Sequence, residues 1–253
     1  MLKLHSKTMT LTIPNKNDFV AKFLNQLARI NNSCSLHLKN DTLTGLVATP
    51  DAAVILNATY KFGNAYSEEN KFNIPDLNKL IRVLDCLPDE GINLKINSNN
   101  LSYDEKKGVK FKYHLLEDGI LSSPAINIEK VKALQYDTVI NVKNTDIANL
   151  IKSSSFATET DKLYLRTEEG KVLGELTDKN KSNVDSIEVE LSNSYTGAEI
   201  DQPIAINFEI IRIVSTKFQE VTIKVNIGLG VLLFELNNSN VELIYVASGL
   251  AET

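Results

Sequence analysis

Tryptophan is absent from this 253-residue chain, and proline (six), histidine (three) and cysteine (two) are sparse. Without tryptophan, and with no aromatic residues interleaved among the basic ones, single-strand binding by base stacking is disfavoured. His5, His37 and His114 lie far apart and show no metal-ligand spacing. Cys34 and Cys86 form no Cys-x-x-Cys pair, and each sits in an apolar-rich stretch. They are expected to be reduced, buried thiols in a cytosolic protein. No segment is proline-rich or of low complexity, so the whole chain is expected to fold. No run approaches the roughly 18 apolar residues of a membrane span. The start of the chain, Met1 to Ile13, alternates polar and apolar residues and lacks the apolar core of a signal peptide.

Recognisable catalytic motifs are missing as well. There is no GxxxxGKS or GxxxxGKT phosphate loop and no GxSxG elbow. Gly228-Leu229-Gly230 is a lone GxG between two strand-like runs and reads as a hairpin turn. The acidic pairs Asp104-Glu105 and Glu168-Glu169 read as solvated loop tips. A site assembled from scattered residues, for example Asp137, Asp146 and His114, has no spacing to recommend it. The chain therefore reads as a binding or scaffolding protein with no cofactor and no metal, and not as an enzyme.

What is present is a repeat. Helical periodicity recurs with the same order of elements about 130 residues apart, which constrains the fold more than any short motif. The first half reads as a helix at Asn15 to Ile30, strands at Ser33 to Lys39, Thr42 to Ala48 and Ala53 to Tyr60, and a helix at Asp76 to Leu87. Strands follow at Ile92 to Ile96, Leu101 to Tyr103 and Val109 to Leu116. The second half opens with a strand, Tyr136 to Val142, and a helix at Thr145 to Phe156 capped by Thr145. Strands follow at Lys162 to Thr167, Lys171 to Leu176 and Asp185 to Leu191. A helix at Asn207 to Phe218 and strands at Val221 to Val225, Val231 to Leu236 and Val241 to Val246 complete it. Each helix carries one apolar stripe and must pack on a sheet. The stripes are Phe19, Val20, Phe23, Leu24, Leu27 and Ile30; Leu77, Leu80, Ile81 and Leu84; Ile147, Leu150 and Ile151; and Phe208, Ile211 and Val214. Two domains of roughly 125 residues are large enough for each to bury a core. The expected division is 1–118, a connector 119–130, and 131–253, with Leu121, Ile126 and Ile128 making the connector too aliphatic for a solvated linker.

The formal charge is −5, yet the four predicted helices carry a positive balance. Lys16, Lys22, Arg29, Lys79, Arg82, Lys152, Arg212 and Lys217 face Asp18, Asp76, Asp85, Asp146 and Glu209. Most of these acids fall in first turns, where a carboxylate suits the free N–H groups. The later turns are basic, which suits contact with duplex phosphates, a contact that needs charge and little else.

The run Phe19 to Ile30, the run Phe72 to Leu84 and the C-terminal run Val241 to Leu250 resemble, in order and pattern, the inner helices and final strand of the DNA sliding clamps. The likeness is to the trimeric type shared by tailed phages, archaea and eukaryotes, the proliferating cell nuclear antigen group, and covers nearly the full length. It implies an α+β fold of two tandem duplicated clamp domains, each with curved antiparallel sheets and two helices on the inner face. It implies a homotrimeric ring around double-stranded DNA that tethers a replicative DNA polymerase and is opened by a separate ATP-dependent clamp loader. The eight basic residues named above become the DNA-facing candidates. Strand pairing between subunits falls on Val109, Phe111, Tyr113 and Leu115 of one chain and Ile187, Val189 and Leu191 of the next. A pocket for partner tails falls on Leu121, Ile126, Val246 and Ala247. A monomeric processivity subunit holding DNA by charge alone is the alternative. The loose match to cellular forms and the richness in Asn and Lys point to a bacteriophage source, and hence to the host cytoplasm.

Overall fold

A computed structural model describes residues 8–88, 91–104 and 108–251; His5 and Glu105 lie outside them. The chain divides into two compact units. The first holds the chain up to Pro50 together with Leu56–Ala125 and Ser239–Glu242; the second holds Asp51–Ile55, Ile126–Asn238 and the chain from Leu243.

The first unit begins with β1 (Met9–Ile13), followed by α1 (Lys16–Asp18), a π-helical segment (Phe19–Leu24) and α2 (Asn25–Ile30). Strands β2 (Cys34–Lys39), β3 (Thr42–Ala48), β4 (Val54–Lys61) and β5 (Asn70–Ile74) lead to α3 (Leu77–Asp85). Strands β6 (Ile92–Ile96), β7 (Asn100–Asp104) and β8 (Lys110–His114) close it. Its strands lie in the orders β1-β6-β7-β8 and β4-β3-β2-β5. The second unit has α4 (Ile128–Lys132), β9 (Thr138–Lys143), α5 (Asn144–Ser153), β10 (Lys162–Glu168), β11 (Lys171–Leu176) and β12 (Ile187–Ser192). Then come β13 (Thr196–Gly197), β14 (Ile204–Asn207), α6 (Phe208–Val214), β15 (Glu220–Asn226), β16 (Val231–Asn237) and β17 (Val241–Ser248). Its strands lie in the orders β12-β11-β10-β14 and β13-β9-β15-β16-β17. Apart from α4 and the two-residue β13, the second unit repeats the first. The order β5-β2-β3-β4 matches β14-β10-β11-β12, and β1-β6-β7-β8 matches β9-β15-β16-β17.

The repeat reaches single residues. Gly45 in β3 and Gly174 in β11 occupy matching positions. A Cβ at Gly45 would stand 2.9 Å from Leu27, and one at Gly174 2.9 Å from Leu191, so each glycine lets a leucine pack flat on the sheet. The first core is rich in aromatics: Tyr60 meets Phe19 edge-on at 5.0 Å, and Phe62 lies 5.1 Å from Tyr60. The second is built on Tyr164, Phe208, Phe234 and Tyr245, all buried. Each such side chain contributes roughly 1.5–3 kcal/mol by leaving water.

The turns follow their residues. Glu169 (φ 50°) and Gly170 (φ 79°) form the two-residue link between β10 and β11, with Glu168 paired to Lys171. Asn40 (φ 52°) opens the matching link from β2 to β3. Gly228-Leu229-Gly230 is the hairpin turn between β15 and β16, where Asn226 pairs with Val231.

Several expectations are corrected. The first helix is interrupted by a π-helical segment, and the buried Gln26 of α2 reaches back to it, its Nε2 donating to the Ala21 carbonyl. Thr145 does not cap α5: the helix starts at Asn144, after Lys143, with no side-chain cap. Asn144 Nδ2 instead donates to the Thr216 carbonyl, tying α5 to the end of α6. That helix stops at Ser153 and leaves Phe156 exposed. The last helix stops at Val214, because Ser215 is already extended. Helix α4 and strands β13 and β14 lie outside the expected elements. Cys34 is buried, but Cys86 is exposed at the end of α3.

Candidate nucleic-acid interface

In the first unit α2 and α3 pack side by side and carry the basic residues. The start of α3 is fixed by Asp76, whose carboxylate accepts the Lys79 N–H at 2.8 Å and an Asn32 side-chain N–H at 3.1 Å. The Lys79 N–H is the main reason that the Asp76 carboxyl titrates below the ordinary range. Tyr113 locks the same turn, accepting the Asp76 N–H at 3.0 Å and donating to its carbonyl at 2.8 Å. With Leu77, Leu80, Ile81 and Leu84 buried, Lys79 and Arg82 are left exposed on adjacent turns. Arg29, in the last turn of α2, is also exposed, and its guanidinium reaches Gln26 Oε1 at 3.4 Å. Lys22 is half-buried and paired with Asp18 at 3.0 Å.

Lys16 is not part of this face. It is 2% exposed, and its ammonium group donates to the Leu87 carbonyl at 3.1 Å. Lys16 lies four residues before Val20 and seven before Phe23, on the apolar stripe, so its stem is buried and only its tip finds a polar partner.

In the second unit α5 and α6 likewise pack together. Lys152 is exposed in the last turn of α5. Arg212 is exposed in the last turn of α6, lying 4.7 Å from the Phe208 ring centroid and 3.2 Å from Glu209. Lys217 is exposed but follows the helix instead of lying on it. Arg29, Lys79 and Arg82 in one unit and Lys152 and Lys217 in the other are thus the exposed cations of the expected set, together with Arg212. Lys22 and Arg212 each stand beside a carboxylate that lowers their field.

The expected strand surfaces sit at sheet edges. Strand β8 ends the order β1-β6-β7-β8, and β12 ends β12-β11-β10-β14. Val109 is exposed, and Phe111, Leu115, Ile187 and Val189 are half-buried. Tyr113 and Leu191 are buried, so their side chains serve the core of their own unit. Of the expected partner-pocket residues, Leu121 belongs to the first unit and Ile126, Val246 and Ala247 to the second. Leu121 and Ile126 are half-buried, whereas Val246 and Ala247 are buried within β17. The exposed aliphatics nearest the chain's end are Leu229, 65% exposed, and Leu250. Both are held at one place, because Gly249 N–H donates to the Gly230 carbonyl and Leu250 N–H to the Ala205 carbonyl. Alternation alone does not separate such residues from core, and the sequence reading missed them.

Asp137 accepts the Ile227 N–H at 2.7 Å and so shapes the β15–β16 turn. Among the described residues, no group of three or more His, Cys, Asp or Glu side chains is placed to hold a metal. Burial pushes the Cys34 thiol up to about 12, which makes it inert. No helix among the described residues is long and apolar enough to cross a membrane; this says nothing about a β-barrel.

No family model and no curated relative matches the sequence itself. Solved structures do match the fold. The chain is similar to a protein assigned as a DNA polymerase III beta subunit from Eubacterium rectale, with a TM-score of 0.73 at 11% identity, over 100% of this chain and 68% of that one. It is similar to the PCNA2–PCNA3 complex from Sulfolobus tokodaii (TM-score 0.72, 14% identity, covering 96% of this chain and 100% of that one). It is also similar to PCNA of A. fulgidus bound to the C-terminal region of FEN-1 (TM-score 0.74, 14% identity, 96% and 99%). The mixed α+β architecture, with antiparallel sheets and few helices, is the fold of the DNA sliding clamps. Among these similar proteins, one is a complex of two clamp chains and one holds the tail of another protein.

Proposed function

We propose that this protein is a DNA sliding clamp, a processivity factor without catalytic activity that closes as a homotrimeric ring around double-stranded DNA. The observation that carries the reading is coverage together with repetition. Two equivalent units fill a chain that spans the whole length of the similar PCNA chain but only 68% of the bacterial-type beta subunit. A ring of six such units is then reached with three copies. Exposed cations recur on the paired helices of both units. Contacts to phosphates alone, screened and without base recognition, suit a ring that must move along its track. The eight-residue set reduces to Lys22, Arg29, Lys79, Arg82, Lys152, Arg212 and Lys217, with Lys16 reassigned to the interior. Partner tails, from a replicative polymerase and from the ATP-dependent loader that opens the ring, would dock on the second unit's exposed Leu229 and Leu250.

The test has two steps. Light scattering across a dilution series should give three times the 28.1 kDa chain mass. The assembled protein should then stay on circular duplex DNA and be released when that DNA is cut. A single-chain mass with retention that ignores cutting would replace the ring with a monomeric tether binding by charge. A stable dimer would rule out the three-copy ring.

A further inference from the structure

The two sheet edges β8 and β12 are opposite in charge, and each strand carries its charges on one face and its apolar residues on the other. On β8, Lys110, Lys112 and His114 are exposed, while Phe111 and Tyr113 face inward. On β12, Glu188 and Glu190 are exposed, while Ile187, Val189 and Leu191 point the other way. Each is the last strand of its sheet and so presents a row of unpaired backbone groups, a template for another strand.

We propose that these charges form a polarity code that lets this edge of one copy pair only with the other edge of a second copy. This rests on the ring reading above and adds what directs the assembly. Two β8 strands laid edge to edge would bring lysines against lysines. Two β12 strands would bring glutamates against glutamates. Like charges directly opposite on one face of a sheet are destabilising, and opposite charges are favourable. Pairing β8 with β12 sets Lys110 and Lys112 against Glu188 and Glu190. Because side chains alternate with a period of two, a register that sets these lysines against these glutamates also brings Phe111 beside Val189 on the other face.

Self-pairing through a single edge is two-fold symmetric and ends at a dimer. Pairing of unlike edges leaves one β8 and one β12 open after every addition, so growth continues until the two ends meet. The charges thus disfavour dimers made through two like edges and permit a ring. In the isolated chain three of these groups already have partners. Glu188 pairs with Arg166 at 2.6 Å, Glu190 with Lys171 at 2.9 Å, and Lys110 with Asp104 at 2.6 Å. These are exposed pairs of small worth, so exchanging them for contacts between copies costs little.

The experiment compares the parent with Lys110→Glu/Lys112→Glu, with Glu188→Lys/Glu190→Lys, and with all four changes in one chain. Circular dichroism first establishes that each is folded. Light scattering at a fixed concentration then reads assembly. Each two-residue variant should show about a tenfold or greater weakening of association, because two like-charge contacts replace two favourable ones. The four-residue variant should recover the parent's mass, since its edges are again opposite. Folded two-residue variants that assemble as the parent does would overturn the code and leave the ring standing. A folded four-residue variant that stays dissociated would also overturn it. A parent that is a single chain at every concentration would remove the ring and the code together.

Discussion

Gly197 shows how tightly one position is fixed. Its φ is +99°, and a Cβ there would stand 2.0 Å from the Asp137 carbonyl oxygen, a separation no rotamer change relieves. Gly197→Ala is expected to cost roughly 3 kcal/mol or more through strain at a special backbone position, read as a lower urea midpoint. The two cysteines should separate chemically. One thiol, Cys86, should react with a disulfide reagent at pH 8 in the folded protein, and the second only in denaturant, because burial pushes Cys34 up to about 12. Lys16 and Arg82 should also part. Lys16→Met should leave the salt dependence of DNA binding unchanged, whereas Arg82→Ala should lower the slope of log K against log salt by roughly 0.9 per lost phosphate contact. Lys16 is expected on the DNA-facing side and is instead buried, because its spacing from Val20 and Phe23 places it on the apolar stripe. The exposure of Cys86 was not legible in the sequence, because it follows from where α3 ends.

At the scale of elements, periodicity served well where one face is buried and the other wet. Strands β3, β6 and β11 have the boundaries that alternation predicts, and α3 buries the four aliphatics on its stripe. What periodicity cannot register is a change of helical pitch. The π-helical segment from Phe19 to Leu24 carries ordinary helix-stripe residues, two of which, Phe19 and Phe23, pack against Tyr60. Short strands such as β13 and β14 are set by their partners and carry no pattern of their own. The capping of α3 gives a pH prediction. The Asp76 carboxyl is lowered, chiefly by the Lys79 N–H. The stability it adds is therefore present above the ordinary unfolded carboxylate range and is lost as pH falls through the lowered folded value. Asp76→Ala should lower the melting temperature at pH 7, and the difference from the parent should shrink at acidic pH.

For the whole molecule, the repeat was the readable feature, because an order of helices and strands survives when residue identities do not. The exposed aliphatics were less legible, because an exposed Leu250 and a buried Val246 look alike in a string of aliphatics. The duplicated strand order also has a temporal consequence. Strand β1 pairs with β6, Leu11 opposite Leu94, and β9 pairs with β15, Ile140 opposite Ile223. In each unit the opening strand must wait some eighty residues of synthesis for its neighbour. Closing so long a loop is entropically costly before any contact rewards it, and topologies of this kind fold in roughly milliseconds to seconds. During translation β1 emerges as an unpaired apolar strand, and this interval, more than the finished fold, is when the nascent chain is most exposed to aggregation and most in need of a chaperone.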